Sequence, residues 1–360
     1  MSSNTTIRIG NDDLYFDIGP NQKPFIIAEL SGNHGQNLAL AKKMVEEAAK
    51  AGAHAIKLQT YTAESMTLDV DSPDFVINES DSLWAGEKLF NLYGKASTPY
   101  EWHSELFSLA NRLGMLAFSS PFDEDAVKFL AQLDVPCYKI ASFELTDIPL
   151  IKKAAAQGKP LIMSTGMASI SEIEEALRAA RGEGCADIIL LKCTSTYPAL
   201  PKNTNLVTIP NMRTAFNCQV GLSDHTTGIG VSIASVVYGA SVIEKHFVLS
   251  RDDGGVDAAF SLEPSELAQL VIETERVSQA IGTVTYGGSR DEEKSKQYRR
   301  SIYICKDIEA GEILTAAHVK IVRPAHGLAP KHLGAVVGSV ASVSMPKGTP
   351  LSWANINLVH

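Results

Sequence analysis

Two imidazoles in this chain stand where a divalent metal could be held. His225 closes Gly221-Leu222-Ser223-Asp224-His225, and His246 closes Ile243-Glu244-Lys245-His246. A lone histidine at a strand end is usually a satisfied structural residue, but two of them one strand apart, each beside a carboxylate, suit a metal-ligand pair. Two lysines suggest a second chemistry. Lys57 in Ala55-Ile56-Lys57-Leu58 and Lys139 in Tyr138-Lys139-Ile140 lie inside apolar runs, where an ammonium is costly to desolvate unless an anion meets it. Other apolar runs end in Glu29, Gln59, Ser119-Ser120, Ser142 with Glu144 just beyond, Ser164-Thr165 and Thr194-Ser195. Lysines with a ring of hydroxyls suit a small polyanion, such as a phosphate ester that also carries a carboxylate. Strand alternation puts Ser223 with His225, and Glu244 with His246, on common faces, so metal and anion could share one cavity. These residues describe an enzyme with a metal and a phosphorylated, carboxylated substrate and leave its reaction open. A Schiff-base aldolase using Lys139 or Lys192 fits them too. From another class, so does a carbohydrate-binding protein without turnover.

The elements that must position these groups repeat eight times over the first 282 residues. Strand-like runs span Phe25–Leu30, Ala55–Tyr61, Met115–Pro121, Cys137–Ser142, Pro160–Gly166, Ile188–Ser195, Gln219–His225 and Ser241–Phe247. They are nearly continuous in apolar residues, as strands covered on both faces must be. Amphipathic helical patterns lie between them, as in Leu38–Ala51, which Gly52 stops. Thr98-Pro99-Tyr100-Glu101 reads as N-cap, N1 proline and N3 glutamate, and Ser169-Ile170-Ser171-Glu172 as a capping box. Strand and helix alternating eight times predict a (β/α)8 TIM barrel, with a doubly wound open sheet as the alternative. In a barrel the C-terminal strand ends, where the polar groups collect, face the active site. Residues 62–97 interrupt the rhythm with an insertion on that face, a place for a substrate lid. Residues 1–282 are expected to form the barrel domain, 283–297 a polar linker, and 298–360 a small β-rich module with short runs at Ser301–Cys305 and Val319–Val322.

Composition narrows the partners. The chain has 360 residues, 45% of them hydrophobic, and a net charge of −9, which argues against nucleic acid as the main partner. No apolar run approaches the roughly 18 residues that span a bilayer. The start, Met1-Ser2-Ser3-Asn4-Thr5-Thr6, has neither a basic nor an apolar signal region. The five cysteines are scattered and read as reduced thiols, so a cytoplasmic location is expected.

The ordered set Phe25-Ile26-Ile27-Ala28-Glu29, Asn33-His34, Ile56–Thr60, Ser119-Ser120-Pro121-Phe122, Tyr138–Ser142, Ser164-Thr165-Gly166-Met167, Gly221–His225 and Glu244-Lys245-His246 resembles the nonulosonic acid synthases, the family that makes sialic, legionaminic and pseudaminic acids. The likeness extends to the tail, where Gly311-Glu312, Val322-Arg323-Pro324 and Gly327-Leu328 are similar to an antifreeze-like (SAF-type) domain. Leu83-Trp84, Thr98–His103 and Lys192–Pro198 look most like the pseudaminic branch, and Ser195 stands where sialic acid synthases carry asparagine. The resemblance implies condensation of phosphoenolpyruvate with the open-chain aldehyde of an N-acetylated amino sugar, 2,4-diacetamido-2,4,6-trideoxy-L-altrose in that branch and an N-acetylmannosamine-type sugar in the others. It implies a phosphoenolpyruvate cradle of Lys57, Ser120, Lys139, Ser142, Ser164, Ser195 and Ser223. It places Gln59, Asn33, Tyr197, Asp257 and Arg323 on the sugar. His225 and His246 would hold a divalent metal, Mn2+ or alternatively Mg2+ or Co2+, with Glu29 on the attacking water and Glu144 on the sugar, or the reverse. It also implies a domain-swapped homodimer in which Arg323 reaches the partner's site.

Overall fold

The computed structural model describes residues 6–78 and 82–358. The chain divides into two compact units, Met1–Ile281 and Gly282–His360.

The first unit is a closed barrel of eight parallel strands. These are β1 (Phe25–Glu29), β2 (Ala55–Thr60), β3 (Leu116–Pro121), β4 (Tyr138–Ile140), β5 (Leu161–Ser164), β6 (Ile188–Cys193), β7 (Gln219–Asp224) and β8 (Val242–His246). Each falls within its expected run. Closure is by β8 against β1, with His246 opposite Glu29, and Glu29 is opposite Lys57 on β2. The barrel, not the open sheet, is therefore the architecture. Nearly every strand residue is buried, because side chains point either into the barrel or against the helices outside.

The outer helices are α1 (Leu38–Lys50), α2 (Tyr100–Arg112), α3 (Glu124–Gln132), α4 (Ile148–Ala155), α5 (Ile170–Gly182), α6 (Thr208–Phe216), α7 (Gly230–Val237) and α8 (Pro264–Ile281). The capping box of Ser169 and Glu172 opens α5 as expected. Thr98 does not cap α2. Its hydroxyl meets His34 Nε2 at 2.9 Å, since the helix begins one residue later than expected, with Pro99 at the capping position and no side-chain cap.

Two elements depart from the expected rhythm. An antiparallel hairpin, Ile7–Gly10 with Tyr15–Ile18, precedes β1. Its Phe16 ring packs 5.2 Å from Phe25 and 5.1 Å from His54, at the starts of β1 and β2. The hairpin therefore covers the N-terminal end of the barrel, which in this fold serves stability. The stretch expected as linker contains a short helix, Arg290–Glu293, opened by a capping box of Ser289 and Glu292. Residues 79–81 of the insertion lie outside the described residues.

The second unit pairs Ser301–Ile304 with Val319–Val322, and Val340–Ala341 with Ile356–Asn357, both antiparallel. It has its own core of Ile302, Ile304, Ile308, Leu314, Val336, Met345 and Leu351. Among the described residues no helix is long and apolar enough to cross a membrane.

Candidate active site

The two buried lysines are met by carboxylates of the chain itself. Lys57 Nζ lies 2.6 Å from Glu29 Oε2 and 3.3 Å from Glu244 Oε2. Lys139 Nζ donates to Ser164 Oγ at 2.7 Å and to the Ile140 carbonyl at 3.1 Å, and lies 3.7 Å from Glu244. Ser223 Oγ donates to Glu244 Oε1 at 3.0 Å, and Lys57 donates to Ser120 Oγ at 3.3 Å. Glu244 thus stands among both lysines and a serine hydroxyl, at 5% exposure. Burial opposes its charge, but Lys139 and Lys57 outweigh burial and hold its carboxyl below the usual range. Burial also opposes the charge on Lys57, yet Glu244 and Glu29 keep that ammonium above its ordinary pKa. At Lys139 burial prevails and the pKa falls. This corrects one inference from sequence. The lysines do not need an outside anion in order to be buried, because two carboxylates balance two ammoniums. Sequence reasoning left Glu244 out of the anion site. Its only local signal was its place two residues before the strand end, on the same face as His246.

Glu29 is held on every side. Its Oε1 accepts from the Ser31 N–H at 3.0 Å and from Gln59 Nε2 at 3.2 Å, while Oε2 faces Lys57. Ser142 and Ser195 hydroxyls meet at 2.7 Å. A Cβ on Gly166, whose φ is +48°, would lie 2.5 Å from Ser142 Cβ and 2.7 Å from Ser195 Oγ, so only glycine lets these two hydroxyls share the rim. Glu144, in the turn after β4, has a buried Oε2 without a hydrogen-bond partner, and burial lifts its pKa to about 6.

The histidines sit together, with ring centroids 5.3 Å apart. His225 Nδ1 donates to the Thr194 carbonyl at 2.9 Å, and His246 Nδ1 lies 3.4 Å from Asp257 Oδ2. A backbone carbonyl fixes one ring and a carboxylate faces the other, as outer partners do for metal-ligating histidines, leaving Nε2 of each for a metal. Among the described residues no group of three or more His, Cys, Asp or Glu forms a complete cage. The paired imidazoles, each with its outer partner, fit a divalent metal that takes further ligands from substrate and water.

The residues expected on the sugar divide. Tyr197 packs its ring 4.5 Å from His225, and Gln59 holds Glu29. Asp257 accepts from Ser31 Oγ at 2.5 Å. Asn33 is committed inside the protein instead. Its amide donates to the Phe247 carbonyl at 3.0 Å and to Ser261 Oγ at 2.9 Å, and its carbonyl accepts from the Asp257 N–H at 3.1 Å. Asn33 pins the loop that carries Asp257 and has no donor left for a sugar. Arg323 is exposed, directly after strand Val319–Val322 of the second unit.

Residues 44–286 match the NeuB family, and residues 299–357 match the SAF domain. The chain is 42% identical to the pseudaminic acid synthase of Campylobacter jejuni over 330 residues, covering 92% of this chain and 96% of the relative. It is equally identical to that of Helicobacter pylori over 336 residues, covering 93% and 98%. A solved N-acetylneuraminic acid synthetase from Leptospira borgpetersenii, in complex with citrate, superposes with a TM-score of 0.71 at 34% identity, covering 81% of this chain and 95% of that one. With one family matching residues 44–286, most of the barrel, and a second match over residues 299–357, the chain belongs to the NeuB family and carries a SAF domain.

Proposed function

We propose that the chain is a pseudaminic acid synthase. It would join phosphoenolpyruvate to 2,4-diacetamido-2,4,6-trideoxy-L-altrose and water, giving pseudaminic acid and phosphate. The observation that carries this reading is the side-chain cluster at the C-terminal strand ends, where Lys57, Lys139 and the hydroxyls of Ser120, Ser164 and Ser223 are joined through Glu244, two residues before His246, with His225 packed beside His246.

Lys57, Lys139, Ser120, Ser142, Ser164 and Ser223 are suited to the phosphate and carboxylate of phosphoenolpyruvate, with Ser195 completing the rim through Ser142. C3 of phosphoenolpyruvate attacks the aldehyde carbon, and the aldehyde oxygen takes a proton. Water then adds to the cationic C2, and the tetrahedral product expels phosphate by C–O cleavage. Glu29 is held so that it can orient that water and accept its proton, since Ser31, Gln59 and Lys57 fix its carboxylate. Glu144, whose Oε2 is buried without a hydrogen-bond partner, is suited to hydroxyl or amide N–H groups of the sugar. A divalent metal on His225 and His246, with Mn2+ the first choice, would polarise the aldehyde oxygen. We further propose that the active form is a homodimer in which the SAF unit of one copy supplies Arg323 to the site of the other.

Phosphate release and product mass on an acceptor panel test the reading. Turnover with the diacetamido-trideoxy-altrose and not with N-acetylmannosamine is expected; the reverse preference would overturn the acceptor assignment. Lys139 offers a second mechanism, because its lowered pKa suits a Schiff-base nucleophile. Substrate-dependent trapping of the chain by borohydride would establish that one instead.

A further inference from the structure

We propose that Trp84, in the insertion between β2 and α2, is a positioning residue for the acceptor side of the pocket; this inference rests on the synthase reading above. The insertion is stitched to the loops that leave β1 and β8. Gln36 Nε2 donates to the carbonyls of Gly94, at 3.3 Å, and Ser97. Gly32 is wedged so closely that a Cβ there would lie 2.6 Å from Val256 Cγ2 and 2.8 Å from Ala96 Cα. Trp84 completes the seam, its indole N–H donating to the Val256 carbonyl at 2.9 Å. The Trp84 ring centroid also lies 5.9 Å from that of Tyr197.

Both contacts lead to the histidines. Val256 precedes Asp257, whose carboxylate accepts from Ser31 and faces His246 Nδ1. The Tyr197 ring lies 4.5 Å from His225 and 5.6 Å from Phe260, and Phe260 in turn lies 5.0 Å from His246. One large flat side chain with a single donor thus backs the segments behind both imidazoles. Lys57 and Lys139 take their partners from the barrel strands. Loss of Trp84 is therefore expected to loosen the sugar side and spare the phosphoenolpyruvate side. The insertion acts as a fixed brace.

Trp84→Ala and Trp84→Phe test this in the full-length protein. Trp84→Ala should raise the KM for the amino sugar by at least about tenfold, since small misplacements at a reacting centre are costly, while the KM for phosphoenolpyruvate stays within about twofold. Trp84→Phe keeps a ring but loses the donor, so a rise of about two- to tenfold is expected, the size of one hydrogen bond. Amide exchange read by mass spectrometry supplies a measurement that needs no turnover. Residues 254–258 should exchange faster in both variants, with β4 and β5 unchanged. Equal rises in both KM values, or unaltered exchange at 254–258, would overturn the proposal. A wild-type protein that releases no phosphate with any amino sugar would instead overturn the synthase reading, and the exchange result would still decide whether Trp84 braces this loop.

Discussion

Replacing Glu244 by glutamine removes the carboxylate that both buried lysines share. At an effective dielectric of about 20, a contact of 3.3 Å to Lys57 and one of 3.7 Å to Lys139 each amount to about 4–5 kcal/mol of Coulomb attraction. Against that stands the burial cost of the carboxylate itself, several kcal/mol, which the substitution relieves. Removing one member of a buried pair typically costs about 3–5 kcal/mol. The loss here should fall at or below the low end of that range, about 2–4 kcal/mol, for two reasons. Lys57 keeps Glu29 at 2.6 Å, and Lys139, whose pKa is already lowered by burial, can shed its proton. Thermal melting at pH 7 should therefore show a midpoint lower by roughly 5–10 °C. The same substitution removes the carboxylate that competes with a bound anion, and an anion would return the proton to Lys139, so inorganic phosphate should raise the midpoint of Glu244→Gln more than that of the wild type. Saturation at a hundredfold excess over Kd contributes about 2.7 kcal/mol. A variant that melts with the wild type and gains nothing extra from phosphate would refute this account of Glu244 as the internal counterion.

Other groups give shorter predictions. His225→Ala and His246→Ala should each abolish tight Mn2+ binding, read by electron paramagnetic resonance of the free ion, while the circular dichroism spectrum stays that of the wild type; unchanged Mn2+ binding would refute the pairing. Lys245→Met should destabilise the barrel by about 3–5 kcal/mol in denaturant melts, because its ammonium is fully buried against Asp224 Oδ2 at 3.1 Å and the Thr226 carbonyl; Asp224→Leu added to it should restore part of that loss. Glu144 has a folded pKa of about 6 against an ordinary 4.5, so the unfolded chain releases that proton first as the pH rises, and stability should fall by at most about 2 kcal/mol across pH 4.5–6. Glu144→Gln should remove that slope, and identical stability profiles for the two proteins would show that Glu144 is solvated.

The barrel was legible because its strands are covered on both faces, which leaves a nearly continuous apolar run at each of the eight positions and makes the polar groups within them and at their ends conspicuous. The hairpin was missed because its signal is of another kind. Ile7-Arg8-Ile9 and Tyr15-Phe16-Asp17-Ile18 alternate around Asn11-Asp12-Asp13, a half-exposed pattern with a turn that a search for continuous runs passes over. Asn33 shows a different limit. An asparagine near a site reads as a ligand contact, and only the fold reveals that Phe247, Asp257 and Ser261, more than 200 positions away, use up its amide.

The lysines carry the sharpest version of that limit, because a buried charge cannot be interpreted until its neighbours are counted. Lys57 and Lys139 are separated in sequence from Glu244 by more than a hundred residues, and Glu29 reaches Lys57 only because β1 and β2 pair with those two positions in register. Counted together, these two ammoniums and two carboxylates sum to zero, so the cluster has no excess positive charge with which to attract an anion. A bound phosphate ester must then draw at least one lysine away from a carboxylate, or bring its own positive counterion. The second course suits two imidazoles poised for a divalent cation a few ångströms apart. Metal and phosphoenolpyruvate should consequently bind with positive coupling: saturating Mn2+ should tighten phosphoenolpyruvate in calorimetry, and by linkage phosphoenolpyruvate should tighten Mn2+ by the same factor. The expected factor lies in the range of about 5–150. His246→Ala should reduce it to unity while Lys57 and Lys139 stay in place. Independent binding in the wild type would mean that the lysines exchange Glu244 or Glu29 for the ligand without help from a metal.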